Sequence, residues 1–155
     1  FKLIGVTKLI MFEKLNSVFK SKVEIEKQSF NTLQIAISAL MVQTAVHDGE
    51  FDEVEKDKIL ELIKNYFKIN NAEVSELFSL AIEVNDNSND IQQFTRLLNE
   101  NLTEEEKLNI IRMMWEIIIA DGHIDDYENS LIRKISGLLY IKDQDIGKIK
   151  KELIN

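Results

Sequence analysis

The sequence contains no cysteine and no proline, and it has only five glycines and two histidines. Without cysteine there is no disulfide framework and no thiolate metal or redox site, so the cytosol is the expected compartment. Without proline, and with so few glycines, almost nothing interrupts a helix. Apolar residues recur at a spacing near 3.6 through most of the chain, which predicts an all-α protein.

The net charge is −8 over 155 residues, and it is unevenly distributed. Nucleic-acid binding needs clustered lysines and arginines, so this acidity argues against a nucleic-acid partner. The exception is the range 1–22, where five lysines and one glutamate lie among many apolar residues. The remaining range, 23–155, is predicted to form one helical domain, because a chain of this length can bury its own core.

The basic, amphipathic range 1–22 has several interpretations. Lysines interrupt it too often for a membrane span, and it lacks the small-residue cleavage site of a signal peptide. As a helix, it could pack on the body, contact another chain as in a homodimer, or lie on a membrane surface. Residues 1–10 could also be an artefact ahead of a true start at Met11, because Phe1 is not a natural start. We therefore expect a cytoplasmic protein, with peripheral membrane contact as one arrangement of this segment.

Seven helices are predicted beyond that segment, near 28–47, 52–67, 71–84, 89–100, 104–120, 125–140 and 143–153. Capping boxes support two of the starts, because Asn70 and Thr103 each stand three residues before a glutamate. Helices of this size are expected to share one core in a single bundle-like domain. The apolar run around Met113, Met114 and Trp115 is predicted to belong to that core.

One pattern, D-G-x-φ-D-x-x-E with φ apolar, occurs at 48–55 and again at 121–128. Each copy follows one apolar helical run and precedes another. The apolar spacing of the flanking helices also repeats, which predicts two pseudo-symmetric helix-loop-helix units around a shared core.

Helix capping explains most of this motif. The glycine suits a left-handed C-cap, and the second aspartate with the final glutamate suits a capping box for the next helix. Capping leaves the first aspartate unexplained, because it faces the negative end of a helix dipole. Either it accepts backbone amides, or it joins the other carboxylates around a divalent cation such as Ca²⁺, Mg²⁺, Mn²⁺ or Zn²⁺. The candidate metal ligands are Asp48, Asp52, Glu55, Asp121, Asp125 and Glu128.

The motif matches only the second half of an EF-hand loop. An EF-hand also needs oxygen ligands at its first and third positions, which here are Thr44 and Val46, or Ile117 and Ile119, within apolar helices. A standard EF-hand is therefore excluded. Three carboxylates per loop could still hold a hard cation weakly, or both loops could converge on shared ions.

The sequence gives no support for an enzyme. It contains no phosphate-binding loop, no dinucleotide-binding glycine motif and no zinc-protease motif. His47 and His123 adjoin the motif loops but are expected to be solvated. Carboxylates can perform acid–base chemistry when burial separates their pKa values, but we expect these interhelical loops to be exposed.

Together with both motif copies, the segments 94–102 and 114–122 make the chain resemble the TerB-like family, the bacterial tellurite-resistance B group. The resemblance covers roughly residues 11–153. It implies an all-helical cytosolic fold, a role in tellurite or general stress response, and metal binding by the six acidic residues named above. Two functions remain open: a non-enzymatic, cation-responsive stress module, and a metal-independent helical adaptor that docks a basic protein partner or a membrane-associated complex.

Overall fold

The computed structural model describes residues 30–47, 50–87 and 91–154. Within these ranges it has seven α-helices, which confirms the predicted all-α class and the predicted helix number. They are α1 Thr32–Ala45, α2 Glu53–Phe67, α3 Asn71–Asn87, α4 Ile91–Asn101, α5 Glu104–Ile118, α6 Asp126–Leu138 and α7 Asp143–Ile154. The range 1–22, with the arrangements predicted for it, lies outside the described residues.

Helix α1 is at the centre of the fold because its sequence is apolar on every side. It contains no charged residue, and most of its residues are buried. It contacts α2, α3, α4, α5 and α6. Met113, Met114 and Trp115 of α5 lie in the same core, as predicted. None of the helices in the described ranges has the length and apolarity needed to cross a bilayer.

The loops that carry the two motif copies differ in local structure. Before α2, strand β1 (Val46–His47) pairs antiparallel with strand β2 (Glu50–Phe51), a short pairing that the sequence analysis did not predict. Before α6, the chain instead forms a 3-10 turn over Ile119–Asp121. The pseudo-symmetry of the two repeats therefore stays a prediction.

Capping boxes begin several of the helices. The predicted boxes at Asn70 and Thr103 are confirmed, since each side chain accepts from the amide of the glutamate three residues on, and that glutamate accepts from the capping residue. A third box, between Asn31 and Gln34, precedes α1 and was not predicted. These reciprocal bonds satisfy backbone donors that a helix start leaves open.

Lys107 of α5 is a buried cation that connects three helices. Its amine donates to Asn99 Oδ1 at 3.2 Å and to the carbonyl of Leu139, just after α6, at 2.9 Å. It also forms an ion pair with Glu104 at 2.9 Å. A buried amine with these partners positions the end of α6 against α4 and α5.

Replacing Lys107 with methionine should lower the free energy of unfolding by about 1–3 kcal/mol, because buried acceptors would lose their donor. Urea unfolding at neutral pH would measure the loss. Lys58→Met is the matched control: Lys58 forms a more exposed ion pair with Glu61 at 3.6 Å, and such pairs contribute about 0–1 kcal/mol. Equal losses in both variants would contradict a tethering role for Lys107.

Candidate functional site

The first motif copy places one carboxylate at the start of α2 and another on its buried face. Asp52 is the N-cap of α2 and accepts a hydrogen bond from the Val54 amide at 2.8 Å. The capping box predicted between Asp52 and Glu55 is therefore wrong for this copy. Glu55 is only 2% exposed, so its side chain lies inside the protein, one turn beyond the cap.

In the second copy, the first aspartate ends a 3-10 turn. Gly122 follows it with φ of 85°, the left-handed conformation predicted for the motif glycine. This geometry lets Asp121 accept a hydrogen bond from the His123 amide at 2.9 Å. This hydrogen bond offsets part of the unfavourable interaction between the carboxylate and the negative end of the helix dipole, as the capping interpretation expects. The Asp121 side chain remains exposed to solvent.

The second copy also forms the predicted capping box. Asp125 Oδ1 accepts from the Glu128 amide at 2.7 Å, and Glu128 Oε1 accepts from the Asp125 amide at 3.3 Å. Glu128 is only 4% exposed. The loops were expected to be exposed, and for Glu55 and Glu128 this expectation is wrong.

The two copies meet through their final glutamates. The side chains of Glu55 and Glu128 are hydrogen bonded to each other, which requires a proton between the two carboxyl groups. Burial, this hydrogen bond, and the nearby charges of Glu128, Asp121 and Asp52 raise the pKa of Glu55 to about 8. Within the described residues, Glu55 Oε2 is buried and has no hydrogen-bond partner. A proton is therefore held at neutral pH where four carboxyl groups come close together.

Three of these carboxylates form a cluster that draws on both motif copies. Asp52, Glu55 and Asp121 each place one oxygen so that the three oxygens lie within 4.8 Å of one another. Calcium binds oxygen at about 2.3–2.6 Å, so oxygens on opposite sides of one ion are about 4.6–5.2 Å apart. The separation therefore suits one hard cation, which solvent could reach because Asp52 and Asp121 are exposed.

The six predicted ligands are distributed unequally. Asp52, Glu55 and Asp121 form the cluster, and Glu128 is bonded to one of its members. Asp125 caps α6. Asp48 lies outside the described residues. The structure thus brings together carboxylates from different copies.

The spacing of the two final glutamates relative to apolar residues indicates in the sequence that they are buried. Glu55, Ile59 and Ile63 are spaced by four residues, which places the carboxylate on the apolar side of α2, and all three are buried. Glu128 precedes Leu131 by three residues and Ile132 by four, so it lies on the same side of α6, and all three are buried. The capping interpretation of each glutamate obscured this second role. His123 is exposed, as predicted, and the side chain of His47 lies outside what the structure describes.

The chain is similar to one family whose model extends over most of the described residues. The family model for tellurite resistance protein TerB matches residues 34–151, which include both motif copies. No curated protein and no solved structure matches the chain. The family match covers well over half of the sequence and agrees with the all-α fold. This chain therefore belongs to the family of tellurite resistance protein TerB.

Proposed function

We propose that this chain is a non-enzymatic stress-response module, related to tellurite resistance, in which one divalent cation binds between the two motif loops. The ligands would be Asp52, Glu55 and Asp121, with water completing the coordination shell. The observation that carries this proposal is the convergence of carboxylates from both motif copies on one place.

Helix capping does not account for this arrangement. It explains Asp52, and it explains the box between Asp125 and Glu128. It gives no reason to bury Glu55, whose pKa is raised by that burial and by three neighbouring carboxyl groups. A cation would compensate these charges and give the buried Oε2 of Glu55 a partner. Keeping the ionised Glu55 carboxylate buried costs free energy when no cation is bound. A bound cation would remove this cost, and that gain would contribute to its affinity.

The oxygen ligands favour a hard cation. Calcium accepts carboxylates in flexible geometry, whereas zinc prefers nitrogen and sulfur, and the sequence has no cysteine. Magnesium demands near-ideal octahedral geometry and gives up its water reluctantly, so it suits side chains from two separate loops less well. We therefore expect Ca²⁺ to bind more tightly than Mg²⁺ or Zn²⁺.

An NMR titration with Ca²⁺ tests the shared site. Backbone amides of 52–55 and 121–128 should shift together, with one common dissociation constant. Asp121→Asn should weaken Ca²⁺ binding at least about tenfold, because one ion links both loops. The weakening should be visible in the amide shifts at the start of α2, although the substitution lies in the other loop. This substitution retains an oxygen that can accept from the His123 amide.

The control variant is Asp126→Asn, which removes one exposed charge from the first turn of α6 outside the cluster. It should bind Ca²⁺ almost as the wild type does. Two unrelated dissociation constants for the two loops would contradict a shared ion. No shift of either loop at millimolar Ca²⁺, Mg²⁺, Mn²⁺ or Zn²⁺ would reject cation binding altogether.

The second candidate is a metal-independent adaptor for a basic partner. Three exposed apolar side chains, Val54, Ile124 and Tyr127, stand beside the acidic residues of the two loops. Apolar side chains next to carboxylates suit a peptide that carries both apolar and basic residues. If the affinity for such a peptide falls with added salt but does not change with a chelator, the result would favour this function over the cation site.

A further inference from the structure

A cavity lies between α5, α6 and α7, with a volume of about 410 Å³. This is in the range of pockets that hold small molecules. Trp115, Ile132 and Ile146 supply apolar lining, and Gly147 of α7 also borders the space. A Cβ atom built at Gly147 would meet nothing within 4 Å, so a larger side chain has room at this position.

Two cations face this cavity. Arg133 and Lys150 both line it, and neither has a carboxylate partner in the part of the chain that the structure describes. Lys150 Nζ lies 5.2 Å from the centre of the Trp115 ring. Asp143 is the one carboxylate in the lining, so two positive charges and one negative charge leave a net charge of +1 at the cavity. In a chain with a net charge of −8, this is a local reversal of sign.

Trp115 supplies an aromatic surface and no usable donor. The residue is 2% exposed, and its indole Nε1 is buried with no acceptor among the described residues, so a molecule in the cavity would contact the ring and not this atom. The cavity thus combines an aromatic surface with two cations that have no carboxylate partner among the described residues.

We propose that this cavity binds a small organic monoanion with a flat apolar body, such as an aromatic carboxylate. The body would pack against Trp115, Ile132 and Ile146, and the carboxylate would lie between Arg133 and Lys150. Such a ligand uses both features of the lining: apolar contact with the ring and charge pairing with the cations. This site shares no residue with the acidic cluster, so the inference is independent of the proposed cation function.

The single tryptophan of the chain makes the test direct, because all tryptophan fluorescence and the one indole N–H resonance report on this cavity. Sodium benzoate should shift the indole resonance in a saturable manner. Benzamide, which is neutral and has nearly the same shape, should bind at least tenfold more weakly. Inorganic phosphate, which has charge but no apolar body, should also bind at least tenfold more weakly.

Gly147→Met tests the position of the site, because its side chain would occupy part of the space beside the apolar lining. It should weaken benzoate binding at least tenfold. Gly137→Met is the matched control, since a Cβ atom at Gly137 in α6 also meets nothing within 4 Å but the residue does not line the cavity. Arg133→Gln removes one charge from the cavity lining while keeping a side chain of similar length, and it should weaken binding severalfold.

Several results would overturn the proposal. An indole resonance that does not respond to benzoate would reject the site. Equal binding of benzamide or of inorganic phosphate would reject the amphipathic anion as ligand. Unchanged benzoate binding in both Gly147→Met and Arg133→Gln would place any binding outside this cavity.

Discussion

Raising the pH from about 5 to 8 in the presence of a chelator should destabilise the protein, and Glu55→Gln should remove most of that loss. The pKa of Glu55 is raised from 4.5 to about 8 in the folded protein. Between these values the folded state holds a proton that the unfolded state has released. The stabilising effect of that proton is therefore complete below about pH 4.5 and is lost as the pH rises towards 8.

The expected loss is on the order of 2 kcal/mol, measured as the free energy of urea unfolding at several pH values. Glutamine resembles the protonated glutamate, so Glu55→Gln should be more stable than the wild type at pH 8. Glu53→Gln, on the exposed side of the same turn, should keep the pH dependence of the wild type. Parallel pH profiles for wild type and Glu55→Gln would show that this carboxyl group does not control the effect.

Calcium should reverse the effect of pH. At a hundredfold excess over its dissociation constant, a ligand of the folded state adds about 2.7 kcal/mol of stability. For a domain of this size, that gain corresponds to a rise of roughly 5–11 °C in Tm. The rise should be larger at pH 8 than at pH 6, because the cation must displace the proton held at Glu55.

Asp121→Asn should remove most of the calcium-induced rise in Tm, while Asp126→Asn should retain it. Thermal melts of the three proteins at pH 8, with calcium and with chelator, make the comparison. The two variants lose the same charge at positions five residues apart, so general electrostatic effects should be similar. An equal reduction in both would indicate diffuse attraction of calcium to an acidic surface rather than coordination by the cluster.

Most of the helical architecture could be predicted because its determinants are local. The spacing of apolar residues and the caps at Asn70 and Thr103 depend on neighbours within one or two turns. The pairing of Val46–His47 with Glu50–Phe51 was missed because a ladder two residues long has no repeating pattern in the sequence. Lys107 was missed for a different reason: the carbonyl of Leu139, its acceptor, is 32 positions away along the chain.

The chemistry of the site could be predicted only in part. The identity of the acidic residues came from the duplicated motif, but their grouping depends on how α2 packs beside the 3-10 turn of the other copy. Asp52 and Glu55 are joined by Asp121 from the other copy, and this is a tertiary contact that no single motif encodes. The burial of Glu55 could have been predicted from its spacing with Ile59 and Ile63, whereas its hydrogen bond to Glu128 could not.

The hydrogen bond between Glu55 and Glu128 joins α2 to α6 and therefore the early half of the chain to the late half. Two ionised carboxylates at this contact repel each other, whereas a shared proton or a bound cation holds them together. A shared proton or a bound cation should therefore make the contact between α2 and α6 separate less often. Amide hydrogen exchange in α2 and α6 should then slow together when either is present.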